Sequence, residues 1–386
     1  VGSEMFIRDI YPTAGYRMHY LLIPYAFLSF AFVVQFHFRG DITARTGLVV
    51  TAGTTLALIF IAIVMRPVTG DSWRYYQYFL YLRPMDLGDA LVFRDPDLLY
   101  ALLNWVVGRL GAEAWLLFTA ILLVFIGVFV SAIYRLVGLS GTAVLLMCYT
   151  AFPFFIAYGA NGLRQGLSLV FLLMALVHFY QNRRLAWTWL LLAPLWHSGA
   201  WLGVFAVAMH RLMCRVVRND RSRWSLVLIT LVSAIVLSAS GLNEPLLSQL
   251  PDFIDLRQSH EVYFRDPEMY GYRSGFRWDF LFFSLVPLGS GLLLKGNAPT
   301  FRYAGSGWWL SMYISLNVIY HFFSFAPYAD RFAAFSWFLM PLVVYLQVRE
   351  TQSKNAMTLF FAGIALVNIA MLQFYTGNFL RMPQGW

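Results

Sequence analysis

Charge is what this chain has least of. Only 12% of its 386 residues are charged, roughly half the share of an ordinary soluble domain, and that excludes a large water-facing domain. Lysine is almost missing: Lys295 and Lys354 are the only two among 28 basic residues, so the formal net charge of +9 rests on arginine. Two explanations stand side by side, a genomic bias toward Arg and a use for guanidinium forks, which fit carboxylate and phosphate oxygens better than an ammonium does. The arginines are scattered among apolar runs, not gathered in one soluble patch, which argues against nucleic acid as a partner. The two cysteines, Cys148 in an apolar run and Cys214 in a basic loop, point to neither a disulfide nor a metal site. There is no GxxxxGK[ST] loop and no HExxH motif. No cofactor or metal is therefore expected, and nucleotide-sugar chemistry on the cytoplasmic side has no support.

What fills the chain instead is apolar sequence. Hydrophobic residues make up 60% and aromatics 18%, with 35 Phe, 22 Tyr and 13 Trp, as expected of a helical bundle with interfacial aromatic belts. The residues ahead of Met5 read as an expression remnant, and no cleavable signal peptide is expected. Runs long enough to span a bilayer fall near 18–37, 47–65, 114–134, 141–160, 162–180, 223–241, 278–294, 303–322, 331–348 and 356–375. An eleventh region, 185–212, is interrupted by Pro194 and His197, where a kink or break is expected because proline removes a backbone donor. The fold class that follows is an all-α polytopic membrane protein of about 10–12 transmembrane helices with a re-entrant or broken helix near 185–212. One integral membrane domain, 1–386, is expected, with two long loops, 66–113 and 242–277, that hold most of the carboxylates. In the first loop RDPDLLYALLNWVVGRLG reads as a helix in the interface, too short and polar to span, and WRYYQYFLY as an aromatic belt.

Orientation depends on 185–212. If it is re-entrant, Arg39, Arg45, Arg135, Arg183, Arg184, the five arginines from Arg211 to Arg223, Lys295, Arg302, Arg349 and Lys354 share one side, which is then the cytoplasm. If it spans once, everything before it flips and the charges balance almost as well. The re-entrant arrangement is preferred because it puts both long loops on the external face. That face then collects Asp71, Asn161, Arg164, Gln165, Arg265, Arg273, Arg277, Asp279 and Arg331, with His197 at the tip of the re-entrant segment. Such a basic pocket at a membrane surface suits a lipid-linked phosphate or diphosphate, since Arg forks hold non-bridging oxygens and stabilise a leaving diphosphate. A histidine beside it can accept a proton from an attacking hydroxyl.

Each residue also has an ordinary explanation. Arg164 fits a helix cap or a snorkelling charge, although ionisable groups at membrane depth are costly enough to be functional candidates. His197 fits a hydrogen-bonded core histidine. Arg331 follows Asp330 and so fits a local ion pair, and Arg277 with Asp279 fits a membrane-entry mark. His178, His210 and His321 read as structural.

NGLRQGLSLVFLLMAL, then QNRR, then APLWHSGAW resembles the EpsG-like, Wzy-type bacterial polysaccharide polymerases, in which an Arg-Gln pair opens one helix and a Phe-His-Ser-like element follows a basic turn. GDSWRYYQYF resembles the family's first-loop Asp and Tyr, with Tyr75 or Tyr76 as the tyrosine. RDPDLLYALLNWVVGRLG, GFRWDF and ADRFAAF resemble its amphipathic segment, a later helix entrance and its late arginine. The resemblance implies a GT-C-like, metal-independent glycosyltransferase in the bacterial cytoplasmic membrane that joins undecaprenyl-diphosphate-linked oligosaccharide repeat units on the external face. Its implied site is catalytic His197, Arg164 and Asp71, with Asn161, Gln165, Tyr75, Arg265, Arg273, Arg277, Asp279 and Arg331 binding substrate. The implied partners are the lipid-linked oligosaccharides, the bilayer and a chain-length-regulating copolymerase. An O-antigen ligase-type transferase and a lipid-linked oligosaccharide flippase are the alternatives.

Overall fold

The computed structural model describes residues 47–50, 52–56, 71–93, 97–150, 152, 155, 158, 159, 162–247, 274–294, 305–326, 328–351, 355–360, 362 and 363. Every regular element among them is helical, as a chain with this little charge requires, because backbone polar groups in hydrocarbon must be satisfied within the helix itself. Four helical stretches, Ala114–Thr150, Leu163–Tyr180, Asp220–Ser240 and Ala329–Thr351, are long and apolar enough to cross a membrane. The chain is thus a multi-pass membrane protein. The expected spans at 18–37 and over most of 47–65 and 356–375 lie outside the described residues.

The chain divides into two compact units, Val1–Ala200 with Met357–Trp386, and Trp201–Ala356. In the first, the loop expected at 66–113 holds three helices, α1 (Asp71–Leu82), α2 (Leu87–Val92) and α3 (Leu98–Arg109). Tyr75, Tyr78, Phe79 and Leu82 recur at helical spacing, so α1 turns one face inward. Phe79 and Leu82 are fully buried there, and Leu82 joins Ala90 and Ala101 in a small core. The turn after α1 is tied to α3 twice at one carbonyl: Trp105 Nε1 and Arg109 Nη2 donate to Met85 O at 3.0 and 2.8 Å. The aromatic stretch is therefore partly a packing face; Tyr81, 53% exposed, remains on the outside.

Helix α4 (Ala114–Thr150) carries the run expected at 114–134 and the first half of the run expected at 141–160, and they meet at Gly138, whose φ of 73° takes the chain out of helical geometry. A residue with a Cβ adopts that conformation only with strain. Helix α5 (Leu163–Tyr180) is buried around nearly its whole circumference, the condition of a helix apolar on all sides. It turns at Asn182, in the left-handed region, into α6 (Ala186–Trp196). The contacts Phe179–Trp187, His178–Trp189 and Phe171–Trp196 run in opposite directions along the two helices, so α5 and α6 form an antiparallel hairpin. The expected interruption is present, at the second of its two residues. Pro194 lies inside α6 and the helix breaks at His197, which is extended (φ −158°, ψ 116°). At 11 residues, α6 rises about 16 Å, roughly half a hydrocarbon core.

The second unit contains α7 (Ala200–Val216), α8 (Asp220–Ser240), α9 (Asn243–Leu247), α10 (Trp278–Ser284), α11 (Val286–Leu294), α12 (Ser306–Phe322), α13 (Ala329–Trp337) and α14 (Met340–Thr351). Its axis is α12, against which α8, α13 and α14 pack, with Trp309, Tyr313, Tyr320 and Trp337 fully buried. A neutral polar seam joins three of its helices. Asn317 Nδ2 donates to Ser284 Oγ (3.1 Å) and Ser336 Oγ (2.9 Å), Trp337 Nε1 to Ser284 Oγ (2.8 Å), and Tyr313 Oη to Ser284 O (2.9 Å). His210 bonds Ser311 Oγ at 3.0 Å, and the run expected at 278–294 is divided into α10 and α11 at Leu285.

Candidate active site

The first unit brings two distant pieces of chain to one buried carboxylate. Asp97 stands at the N-cap of α3, where an aspartate ordinarily caps its own helix, yet its side chain makes no such bond. Its Oδ2 accepts from Arg164 Nη1 at 2.7 Å. Its Oδ1 accepts the Ser198 backbone N–H at 2.6 Å. The Nδ1 of His197 lies 3.6 Å from Oδ2. Asp97 is 1% exposed, Arg164 26% and His197 24%, so the acid is inside and the two basic groups reach the edge.

Local sequence explains how each arrives. Arg164 occupies the first turn of α5, and the glycines on either side of its turn let the preceding chain fold over it. A Cβ at Gly166 would sit 2.2 Å from the Tyr158 carbonyl oxygen, and one at Gly162 would sit 2.8 Å from the Tyr158 ring. His197 is delivered by the end of α6, which packs against α3. The guanidinium of Arg164 lies over the rings of Tyr75 (5.8 Å) and Tyr100 (5.9 Å), a cation–π arrangement, and those two rings meet edge to face at 5.7 Å.

Removing a carboxylate from water is costly unless it is paired and hydrogen-bonded. Burial by itself pushes the Asp97 carboxyl up, but the His197 ring, the Arg164 guanidinium and the Ser198 amide outweigh it and hold the group below the usual carboxylate range. Asp97 is therefore a fixed negative charge at neutral pH. The cluster offers a held cation, a held imidazole and an apolar surround, which are the parts needed for proton abstraction beside a developing anion.

Of the residues expected in the site, Arg164, His197 and Tyr75 come together here. Gln165 is in the same helical turn but buried. Asp71 opens α1, and its side chain lies outside the described residues, as do Asn161, Arg265 and Arg273. Arg277, Asp279 and Arg331 belong to the second unit. There Arg277 pairs with Asp279, Nε to Oδ1 at 3.1 Å and Nη2 to Oδ2, and lies 3.6 Å over the Phe280 ring. Arg331 sits 4.5 Å over Tyr328, itself in the left-handed region. The Arg277 charge acts on both Asp330 and Tyr320, so these groups share one end of that unit.

Asp97, Tyr100 and Ser198 are the functional candidates that residue patterns do not single out. Asp97 closes an Asp95-Pro96-Asp97 triplet just before an apolar helix, a pattern that reads as a helix start. The usable signal is charge balance. Two basic groups, Arg164 and His197, sit in apolar sequence and require a buried acid.

Residues 47–382 match the model of the EpsG family. No curated protein and no solved structure matches the chain.

Proposed function

The chain belongs to the EpsG family, which is linked to exopolysaccharide biosynthesis, and from that premise we propose that it is a polysaccharide polymerase. In this reading it joins undecaprenyl-diphosphate-linked oligosaccharide repeat units on the outer side of the bacterial cytoplasmic membrane. The observation that carries the proposal is the Asp97-held pair of Arg164 and His197. His197 takes the proton of the acceptor hydroxyl as that oxygen bonds to the anomeric carbon. The bond from that carbon to the donor diphosphate breaks, and its electron pair leaves with the diphosphate. Arg164 stabilises the charge that develops on the departing group, as fixed donors do best in a site that excludes water. Tyr75 and its neighbours offer aromatic faces to a sugar ring.

The test is elongation by the purified protein in detergent, supplied with lipid-linked repeat units isolated from a host lacking the polymerase. A ladder of chain lengths, with one undecaprenyl diphosphate released per linkage, is the expected result. A single transfer to a lipid A core acceptor would reassign the protein as a ligase-type transferase. Movement of the lipid-linked unit across proteoliposomes with no new linkage would reassign it as a flippase.

A further inference from the structure

We infer that Asp97 is a positioning residue that holds the His197 imidazole with its proton on Nδ1, leaving Nε2 as the acceptor presented to substrate. The inference rests on the base role proposed above for His197 and adds the group that makes such a role possible.

Four features converge on it. The Nδ1 atom is buried and has no hydrogen-bond partner among the described residues, and Asp97 Oδ2 stands 3.6 Å away. A lone pair on Nδ1 would face the lone pairs of a carboxylate, whereas an N–H there is attracted to it, so the carboxylate selects the tautomer. Such a contact is often long before substrate binds and shortens in the reacting complex. Next, the Ser198 N–H bond to Oδ1, 2.6 Å long, fixes the backbone beside the ring, so the same carboxylate holds both the main chain and the imidazole. Third, a Cβ at Gly199 would lie 3.1 Å from His197 Nε2, so the glycine keeps the working nitrogen clear. Last, Arg164 already balances the charge of Asp97 at 2.7 Å, and the carboxylate needs no proton from the ring. Among the described residues, the charged and titratable groups around His197 are thus Asp97 from the start of α3 and, beyond it, Arg164 from α5 with the phenols of Tyr75 and Tyr100 against its guanidinium.

In the reaction the acceptor hydroxyl proton moves to Nε2, and the imidazolium is stabilised by its Nδ1–H facing Asp97. The Nε2 proton is then lost to water, restoring the starting form. A role for Asp97 confined to supporting Arg164 would change stability but leave the tautomer alone.

The experiment is side-chain proton–nitrogen correlation NMR of the full-length protein labelled with ¹⁵N-histidine, with the His197 signals identified by their loss in His197→Gln. The wild type is expected to show a protonated Nδ1 and a bare Nε2 near neutral pH. Asp97→Asn is expected to lose that preference and to slow elongation on the order of 10²–10⁴-fold, with Asp97→Glu recovering part of both. A wild-type ring protonated on Nε2 overturns the inference, and so does an Asp97→Asn protein that keeps both tautomer and rate. If Asp97→Asn does not fold, the wild-type spectrum decides alone. Should His197→Gln elongate at the wild-type rate while the wild-type ring is protonated on Nδ1, the base role falls and the positioning by Asp97 stands.

Discussion

Of the polar clusters among the described residues, one from each unit can be set side by side, and they differ in a way that separates function from support. The seam of Ser284, Asn317, Ser336, Tyr313 and Trp337 is neutral and fully buried, and its bonds close on one another. Neutral side-chain bonds of this kind join helices where hydrocarbon offers no other partner. The cluster of Asp97, Arg164 and His197 is built on the ion pair of Asp97 and Arg164, reaches the edge of its unit at two of three members and leaves His197 Nδ1 short of a full hydrogen bond. A network that only holds helices together satisfies all its members. One that leaves a buried ring nitrogen short of a partner retains a cost that chemistry explains.

The largest effect that would break this contrast is at the rim. His197→Ala should cut elongation on the order of 10²–10⁴-fold, the range of a lost general base, with the thermal midpoint little changed. Wild-type polymer from that variant would remove the catalytic reading of the cluster. Arg164→Ala should lose elongation and stability together, because it strands the buried Asp97. Stranding one member of a buried pair costs about 3–5 kcal/mol. Adding Asp97→Asn to Arg164→Ala should recover much of the stability and none of the activity, as a double-mutant cycle in denaturant unfolding would read.

The seam should answer in the opposite sense. Asn317→Ala is expected to cost about 1–3 kcal/mol by removing the donor that the buried Ser284 and Ser336 hydroxyl oxygens accept from, while the rate per folded molecule holds. A selective loss of rate there would make the seam part of the site.

Acid offers a finer probe of the same contrast. Because the folded Asp97 carboxyl is held below its ordinary value of 3.8, its ionised form stabilises the fold fully above that value, and the benefit is lost as pH falls through the lower folded value. The stability gap between wild type and Asp97→Asn, followed by thermal unfolding from about pH 7 to pH 3, should therefore be constant at first and close at the acid end. A gap that widens on acidification contradicts the assignment. The smallest effect is expected at Arg277→Ala: its partner Asp279 is two residues away and exposed, so stability should change by less than about 1 kcal/mol. Denaturant unfolding of that variant against the wild type reads the difference.

Much of this architecture is legible in the residues. Tyr75, Tyr78, Phe79 and Leu82 announce a helix face by their spacing, although their composition suggests a membrane belt. The break after APLW is visible too, marked by Pro194 and His197 together, and of the two it is His197 at which the chain opens. Proline is tolerated in a membrane helix when the freed backbone groups find other partners, so its presence does not fix where the helix ends. The acid beside His197 is the plainest case. Asp97 precedes an apolar helix in the first long loop, and nothing within that segment says that its carboxylate turns toward the hairpin.

The sequence by itself determined that this is a helical membrane protein, that α5 and a broken partner follow one another, and that Arg164 and His197 need a reason to sit in apolar surroundings. Those conclusions depend on hydropathy and on the cost of charge, both properties of the residues alone. Only the tertiary structure decided that Asp97 supplies the reason. It meets Arg164 across 67 residues and Ser198 across 101, and a pairing at that separation is set by how α3 packs against the α5–α6 hairpin.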